Sequence, residues 1–224
     1  MLENVEQNLI KWDQNHPWSK DGDEWSGQAK LCGVPYERWK ASLIANMITP
    51  FINPRAQVLE IAPGHGRWTE HLLAGSGHVT VVDISPSCLN YCRGRFQQAG
   101  NINYFLTTGH QLPRYIDDKI DFVWSYDSFV HMDRNVIAGY LKEIKRVLRI
   151  GGTSILHHAG IESLDSHVQS EHPGWRSQMN AEVMRQLAEE AGLEVMSQFV
   201  YWDEDAKIGV PRFGDKITWL ARKV

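Results

Sequence analysis

Val58-Leu-Glu-Ile-Ala-Pro-Gly-His-Gly66 compresses a buried strand and a glycine-bearing turn into nine residues. Val58, Leu59, Ile61 and Ala62 read as a strand covered on both faces, as in a parallel sheet. Gly64 and Gly66 let the backbone bend and approach a ligand closely. A helical pattern carrying Trp68, Leu72 and Leu73 follows at once and stops near Gly75 and Gly77. His78 to Asp83 is then a second strand closing on an acid, so the stretch opens a βαβ unit.

Downstream the alternation continues. Ser85-Pro86 supplies a cap and first-turn pair for a helix carrying Leu89, Tyr91, Cys92 and Phe96. Strands are expected over Ile102 to Thr107, Ile120 to Tyr126 and Thr153 to His158. Between the last two, Asp133 caps a helix with Val136, Tyr140, Leu141, Ile144, Val147 and Leu148 on its inner face, ended by Gly151-Gly152. Asn180 caps a helix running to Gly192, and Leu193 to Trp202 and Lys216 to Leu220 are closing strands. Upstream, Pro35 starts a helix through Tyr36, Trp39, Leu43, Ile44 and Met47 that ends before Pro50, and Leu2, Val5, Leu9 and Trp12 mark a short amphipathic one. The fold class is therefore α/β, a doubly wound, mostly parallel, seven-stranded sheet. Residues 1–50 read as an N-terminal helical and loop lid packed on the core, and residues 51–224 as the α/β domain, a single domain overall.

The 224 residues carry a net charge of −4, which gives no electrostatic footprint for nucleic acid. No apolar run approaches the roughly 18 residues that span a bilayer, and residues 1–15 have no signal-peptide core, so a soluble, cytoplasmic protein with no membrane partner is expected. Cys32, Cys88 and Cys92 are too few for a disulfide framework and read as reduced core residues. Four of the nine tryptophans, Trp12, Trp18, Trp25 and Trp39, crowd into the first forty residues. They either plug the edge of a core or close over a ligand.

In open α/β sheets the ligand sits beyond the carboxyl ends of the strands. The converging ends are Glu60 to Gly66, Asp83, Thr107 to Gly109, and Ser125 to Asp127. A carboxylate at Asp83 can accept from both vicinal hydroxyls of a ribose. A dinucleotide fingerprint would need a third glycine where Thr69 stands, and Glu60 is unhelpful beside a phosphate but suits a cationic cofactor.

Together these residues resemble the class I S-adenosylmethionine-dependent methyltransferases. Glu60-Ile-Ala-Pro-Gly-His-Gly66 is similar to the family's E-x-G-x-G-x-G, Val82-Asp83-Ile84-Ser85 follows strand two, and Arg146-Val-Leu-Arg-Ile-Gly-Gly152 is similar to R-V-L-K-P-G-G. The resemblance implies a Rossmann-like fold and S-adenosyl-L-methionine as cofactor. It places Gly64 and Gly66 on the amino-acid moiety beside Glu60 and Ala62, Asp83 on the ribose, Ile84 on the adenine, and Thr108 and Gly109 at the adenine edge. Ser125 and Trp25 complete the expected cofactor set. Two positions depart from the pattern: Ala62 replaces the first glycine, and Thr107-Thr108-Gly109 offers neutral hydroxyls where most relatives carry an acid.

Methyl transfer is an in-line displacement whose main demand is alignment, and a base is needed only where the acceptor keeps a proton, as an alcohol does. His131 and His158 are the candidate bases, with Asp127 as an orienting carboxylate. Neighbouring residues on a strand point to opposite faces, so only one of His157 and His158 is expected to face the cleft. A divalent cation such as Mg, held by Asp127, Asp133 and His158, would be another way to lower an acceptor hydroxyl's pKa.

Asp21-Gly-Asp-Glu-Trp-Ser26, Asp127-Ser-Phe-Val-His131, Ile155-Leu-His-His158 and Gly174-Trp-Arg176 are similar to bacterial sugar and polysaccharide methyltransferases. That resemblance implies O-methylation of a saccharide hydroxyl, with Tyr126, His157, Trp175 and Arg176 as substrate contacts. Residues 159–179, with His172, form either an acceptor wall, a homodimer contact or a plain insertion. Rival readings are an N- or O-methyltransferase of a small metabolite, a non-catalytic cofactor-binding protein of the same fold, and an NAD-dependent enzyme.

Overall fold

The computed structural model describes residues 3–23, 25–161 and 176–223. Its N-terminal part carries α1 (Glu3–Leu9), prolonged by a π-helical stretch over Ile10–Asn15, then α2 (Gly27–Leu31) and α3 (Tyr36–Leu43), prolonged likewise over Ile44–Ile48. There follow β1 (Gln57–Ile61), α4 (Thr69–Gly75), β2 (His78–Asp83), α5 (Pro86–Arg95), β3 (Ile102–Leu106), β4 (Ile120–Phe129), α6 (Arg134–Val147) and β5 (Leu148–His158). The chain closes with α7 (Ala181–Glu190), β6 (Glu194–Phe199), β7 (Tyr201–Asp203), β8 (Ile208–Gly209) and β9 (Lys216–Ala221).

The main sheet has seven strands in the order β3-β2-β1-β4-β5-β9-β6. It is parallel from β3 to β5, and β9 inserts antiparallel between β5 and β6. This is a Rossmann-like α/β fold. Side-chain alternation along β1 shows why both faces are covered: Val58 joins a cluster with Trp39, Trp68 and Leu72, while Leu59 and Ile61 join another with Val136, Ile137, Leu141 and Ile144 of α6. Three helix starts are held as their sequences predict. Ser85, Asp133 and Asn180 accept at 3.0, 2.9 and 2.9 Å from the amides of Cys88, Val136 and Val183.

Three element bounds differ from expectation. Strand β4 runs on past Tyr126 to Phe129 through a register shift after Ser125, with Asp127 at φ 60°. Strand β5 begins at Leu148, ahead of the two glycines, because Gly151 and Gly152 pair with Arg222 (2.9 and 3.0 Å) instead of ending the helix in open loop. The expected strand from Leu193 to Trp202 divides after Phe199. Its second part, β7, leaves the main sheet to pair with β8, and Trp202 packs on Trp39 (5.6 Å between centroids) and donates to Ser42 Oγ at 3.0 Å.

Candidate active site

A cavity opens at the carboxyl ends of β1, β2 and β4, where the chain, having moved outward from β1 through β2 to β3, returns to the other side of β1. Ala62, Pro63 and Gly64 line it after β1, Asp83 and Ile84 after β2, and Tyr126, Asp127, Ser128 and His131 at the end of β4. Asn8, Trp12, Trp18 and Trp25 form the facing wall. That wall is tied down by hydrogen bonds. Asn8 Nδ2 donates to the His131 carbonyl (3.1 Å), Trp12 Nε1 to Asn8 Oδ1 (3.0 Å), and Trp18 Nε1 to the Trp12 carbonyl (2.9 Å). Asp13 accepts from Ser85 Oγ (2.7 Å) and the Ser87 amide (3.0 Å).

Local conformation explains the turn. Ala62 stands at φ 58°, the left-handed region that a glycine adopts freely, at a cost of roughly 1–2 kcal/mol for an L-residue. The departure from the glycine pattern thus keeps the turn's shape and strains it. At Gly64 (φ 56°) a Cβ would stand 2.7 Å from the Trp18 indole, so the indole lies directly on the turn. Gly66 (φ 85°) does not line the cavity; a Cβ there would stand 2.5 Å from the Phe96 ring, and its role is packing against the end of α5.

Asp83 is the buried carboxylate of the cavity. Backbone amides of Ser85 (2.9 Å), Gly64 and Ile84 donate to it, yet burial pushes its pKa up to about 6. A carboxylate so placed suits a ligand with paired hydroxyls, and Gly64 and Ile84 beside it suit a close backbone contact and an apolar ring. The residues present therefore fit S-adenosylmethionine.

Other expected cofactor residues lie elsewhere. Glu60 is 1% exposed and sits beneath the turn, where it accepts from Thr69 Oγ1 at 2.6 Å; burial pushes its pKa up to about 8. Ser125 is buried and donates to the Ile61 carbonyl at 2.9 Å, joining β4 to β1. Thr108 points outward to Gln111 Oε1 (3.2 Å), and the end of β3 reaches the cavity through Gly109, whose carbonyl accepts from Tyr140 Oη at 2.6 Å. Because folding raises the Glu60 pKa above the ordinary 4.5, the carboxyl costs stability as pH rises from 4.5 to about 8. Glu60→Gln is accordingly expected to melt increasingly above the wild type across that window, with the difference smallest at its acid end, in thermal scans of both proteins.

The other half of the cavity is built on a residue that motif reading missed. Arg67, 5% exposed, donates to Asp127 Oδ2 (3.2 Å), Tyr36 Oη (3.1 Å) and the Trp25 carbonyl (3.3 Å), and lies over the Trp68 ring at 4.4 Å. Only its place directly after Gly66 hinted at this. Burial pushes the Asp127 carboxyl up, but the hydrogen bond and charge of His157, with the charges of Arg67 and Arg176, outweigh it and hold the group well below the usual carboxylate range. His157 lies beneath the cavity floor between Asp127 Oδ1 (3.3 Å) and Asp215 Oδ2 (3.2 Å). Burial lowers its pKa, and those two carboxylates more than reverse the effect. It does not line the cavity, so the expectation of direct substrate contact is corrected.

His158 is corrected too. It is wholly buried on the opposite side of β5, with Nδ1 2.8 Å from the Ala159 carbonyl and Nε2 2.7 Å from Thr218 Oγ1, and burial drives its pKa down to about 4. Asp133 is spent on its helix cap, and no group of three or more metal-capable side chains occurs among the described residues, so the proposed ligand set of Asp127, Asp133 and His158 is dispersed. His131 does line the cavity, with its ring 4.9 Å from Trp12. Tyr126, Arg176 and Trp25 line it as well, whereas Trp175 and His172 lie outside the described residues.

Residues 58–152 match the methyltransferase domain family. The curated matches are short. A demethylmenaquinone methyltransferase of Tropheryma whipplei (strain Twist) is 36% identical over 104 residues, covering 45% of this chain and 40% of that protein. Methyltransferase GfsG of Streptomyces halstedii is 32% identical over 101 residues, 43% of this chain and 35% of that protein. The chain thus spans well under half the length of these curated relatives. Among solved structures, geranyl diphosphate C-methyltransferase from Streptomyces coelicolor A3(2), bound to Mg2+, geranyl diphosphate and S-adenosyl-L-homocysteine, superposes with a TM-score of 0.71 over 98% of both chains at 10% identity. That likeness shows the fold alone. No helix among the described residues is long and apolar enough to cross a membrane.

Proposed function

We propose that this chain transfers a methyl group from S-adenosylmethionine to a hydroxyl of a small acceptor, that the acceptor is a saccharide, and that His131 takes the hydroxyl proton. The observation that carries the reading is the joining, in one cavity, of the Asp83 and Gly64 end with His131 and the faces of Trp12, Trp18, Trp25 and Trp68. The cofactor supplies an electrophilic methyl group. Asp83 and Gly64 hold and orient it, and the indoles exclude water and offer flat apolar faces for a sugar ring.

Asp127 is too acidic to act as the base and serves instead to fix Arg67 and His157. Among the histidines singled out as bases, His131 is the one on the cavity wall, and its place at the turn after β4 puts it next to the aromatic wall. Calorimetric titration with S-adenosylmethionine, followed by mass spectrometry of monosaccharide and amine panels incubated with it, tests the proposal. The expected result is cofactor binding and methylated sugar. Failure to bind the cofactor overturns the methyltransferase reading; methylated amines without methylated sugars overturn the hydroxyl acceptor.

A further inference from the structure

The wall opposite the Asp83 end carries a guanidinium, Arg212, that pairs with no carboxylate among the described residues. Arg176 and Arg212 both rest over Phe213, at 5.3 and 4.9 Å from its centroid, and both line the cavity. Asp215 is wholly buried there and its oxygens are fully engaged: Arg176 donates to it at 2.8–3.0 Å, Gln28 Nε2 at 3.1 Å, and His157 Nε2 lies at 3.2 Å. Asp127 is divided between Arg67 and His157, and Asp23 between Arg67 and Lys40. Arg212 has no carboxylate partner among the described residues. Its backbone is fixed, through its amide to Gln28 Oε1 at 2.9 Å, and Gly27 makes room for its side chain, since a Cβ there would stand 2.9 Å from Nη1.

A second, independent feature lies on the same wall. Tyr126 is 5% exposed, lines the cavity, and its hydroxyl has no hydrogen-bond partner among the described residues. A buried phenol left without a partner costs on the order of 1–3 kcal/mol, a cost relieved when a ligand oxygen accepts from it. The charges of both Arg67 and Arg176 act on this hydroxyl, and burial keeps it protonated, so it serves as a donor.

A guanidinium without a carboxylate partner among the described residues, a second guanidinium beside it and a donor phenol match a group made only of acceptor oxygens. We propose that the acceptor molecule carries an oxyanion, a carboxylate or a phosphate, bound by Arg212 and the Tyr126 hydroxyl with Arg176 alongside. On the saccharide reading, on which the substrate class rests, this means a uronate or a sugar phosphate in preference to a neutral sugar. Planar guanidinium geometry suits either oxyanion, and the two are separated by the probes used to test it.

The test is binding to the full chain loaded with S-adenosyl-L-homocysteine, read by calorimetry or tryptophan fluorescence, with two matched probe sets: glucose, glucuronate and glucose 1-phosphate; and benzyl alcohol, benzoate and phenyl phosphate. At least one charged member is expected to bind about 10- to 100-fold more tightly than its neutral counterpart, the size of one or two charge-assisted hydrogen bonds. Whether carboxylate or phosphate gains identifies the oxyanion. Arg212→Gln is expected to remove that preference and Arg212→Lys to restore part of it, while Tyr126→Phe weakens the charged probe alone. Homocysteine-cofactor affinity in each variant reports that the fold and the Asp83 end are intact. Charged probes no better than neutral ones in both sets, or a preference that survives Arg212→Gln, would overturn the oxyanion site. If only the aromatic anions gain, the oxyanion site stands and the saccharide reading falls; if the cofactor product does not bind at all, the methyltransferase reading fails first.

Discussion

Asp83→Ala is expected to weaken S-adenosylmethionine binding by about 10²- to 10⁴-fold, measured by calorimetry, because on the proposed reading it removes the carboxylate that accepts from both ribose hydroxyls. Hydrogen bonds to a charged group contribute about 1.5–3 kcal/mol each, and two of them span that range. The substitution also strips an acceptor from the amides of Ser85, Gly64 and Ile84, so part of the loss comes through the turn. Asp83→Asn keeps an acceptor oxygen for those amides and isolates the charge. The wild-type pH dependence follows from the same group. Its pKa stands at about 6, above the ordinary 3.8, and the ionised form is the one that accepts twice. Affinity should therefore be flat above about pH 6 and fall by as much as tenfold per pH unit below it. In Asp83→Asn that acid-side decline should vanish.

How much of this could be read beforehand divides by the range of the interactions. Caps at Ser85, Asp133 and Asn180, and the buried strand Val58 to Ile61, depend on neighbours within a few residues, and they were legible. The meeting of Gly64, Asp83 and Ile84 at one cavity was legible for a related reason: they follow directly from strand ends, and the sheet topology brings those ends together. His157 and His158 were not, because alternation along β5 says that they face opposite ways but not that both faces are closed. Thr218 of β9 covers one, and Asp215 just ahead of it the other. Both partners arrive some sixty residues later through an antiparallel strand inserted between β5 and β6. Arg67, Gln28 and Arg212 escaped for the same cause. Their roles are set by carboxylates and rings on separate segments far apart in sequence, and no local spacing encodes that meeting. Ala62 is the opposite case: the alanine looked like a lost glycine, and the backbone holds the glycine conformation regardless.

His131→Ala is expected to lower kcat for a hydroxyl acceptor by about 10²- to 10⁴-fold, the usual contribution of a positioned general base, while leaving cofactor affinity little changed. The second half follows from placement. Asp83 and Gly64 are on other strand ends, and the contacts that anchor the N-terminal wall to this point, from Asn4 and Asn8, are made to the His131 backbone carbonyl, which alanine retains. The ring itself lies 4.9 Å from Trp12, so truncation opens space beside an indole; His131→Gln fills most of that space without supplying a base of comparable strength. Loss in both variants assigns the effect to proton transfer, and loss in the alanine variant alone assigns it to packing. Measuring kcat at saturating cofactor removes the Asp83 titration from the profile, so an acid limb that remains in the wild type and disappears in His131→Gln belongs to the imidazole. His157 cannot substitute, since carboxylates occupy the surroundings of both its nitrogens. Full turnover in His131→Gln would mean that the acceptor arrives needing no base, which is the behaviour of an amine and would move the acceptor out of the hydroxyl class.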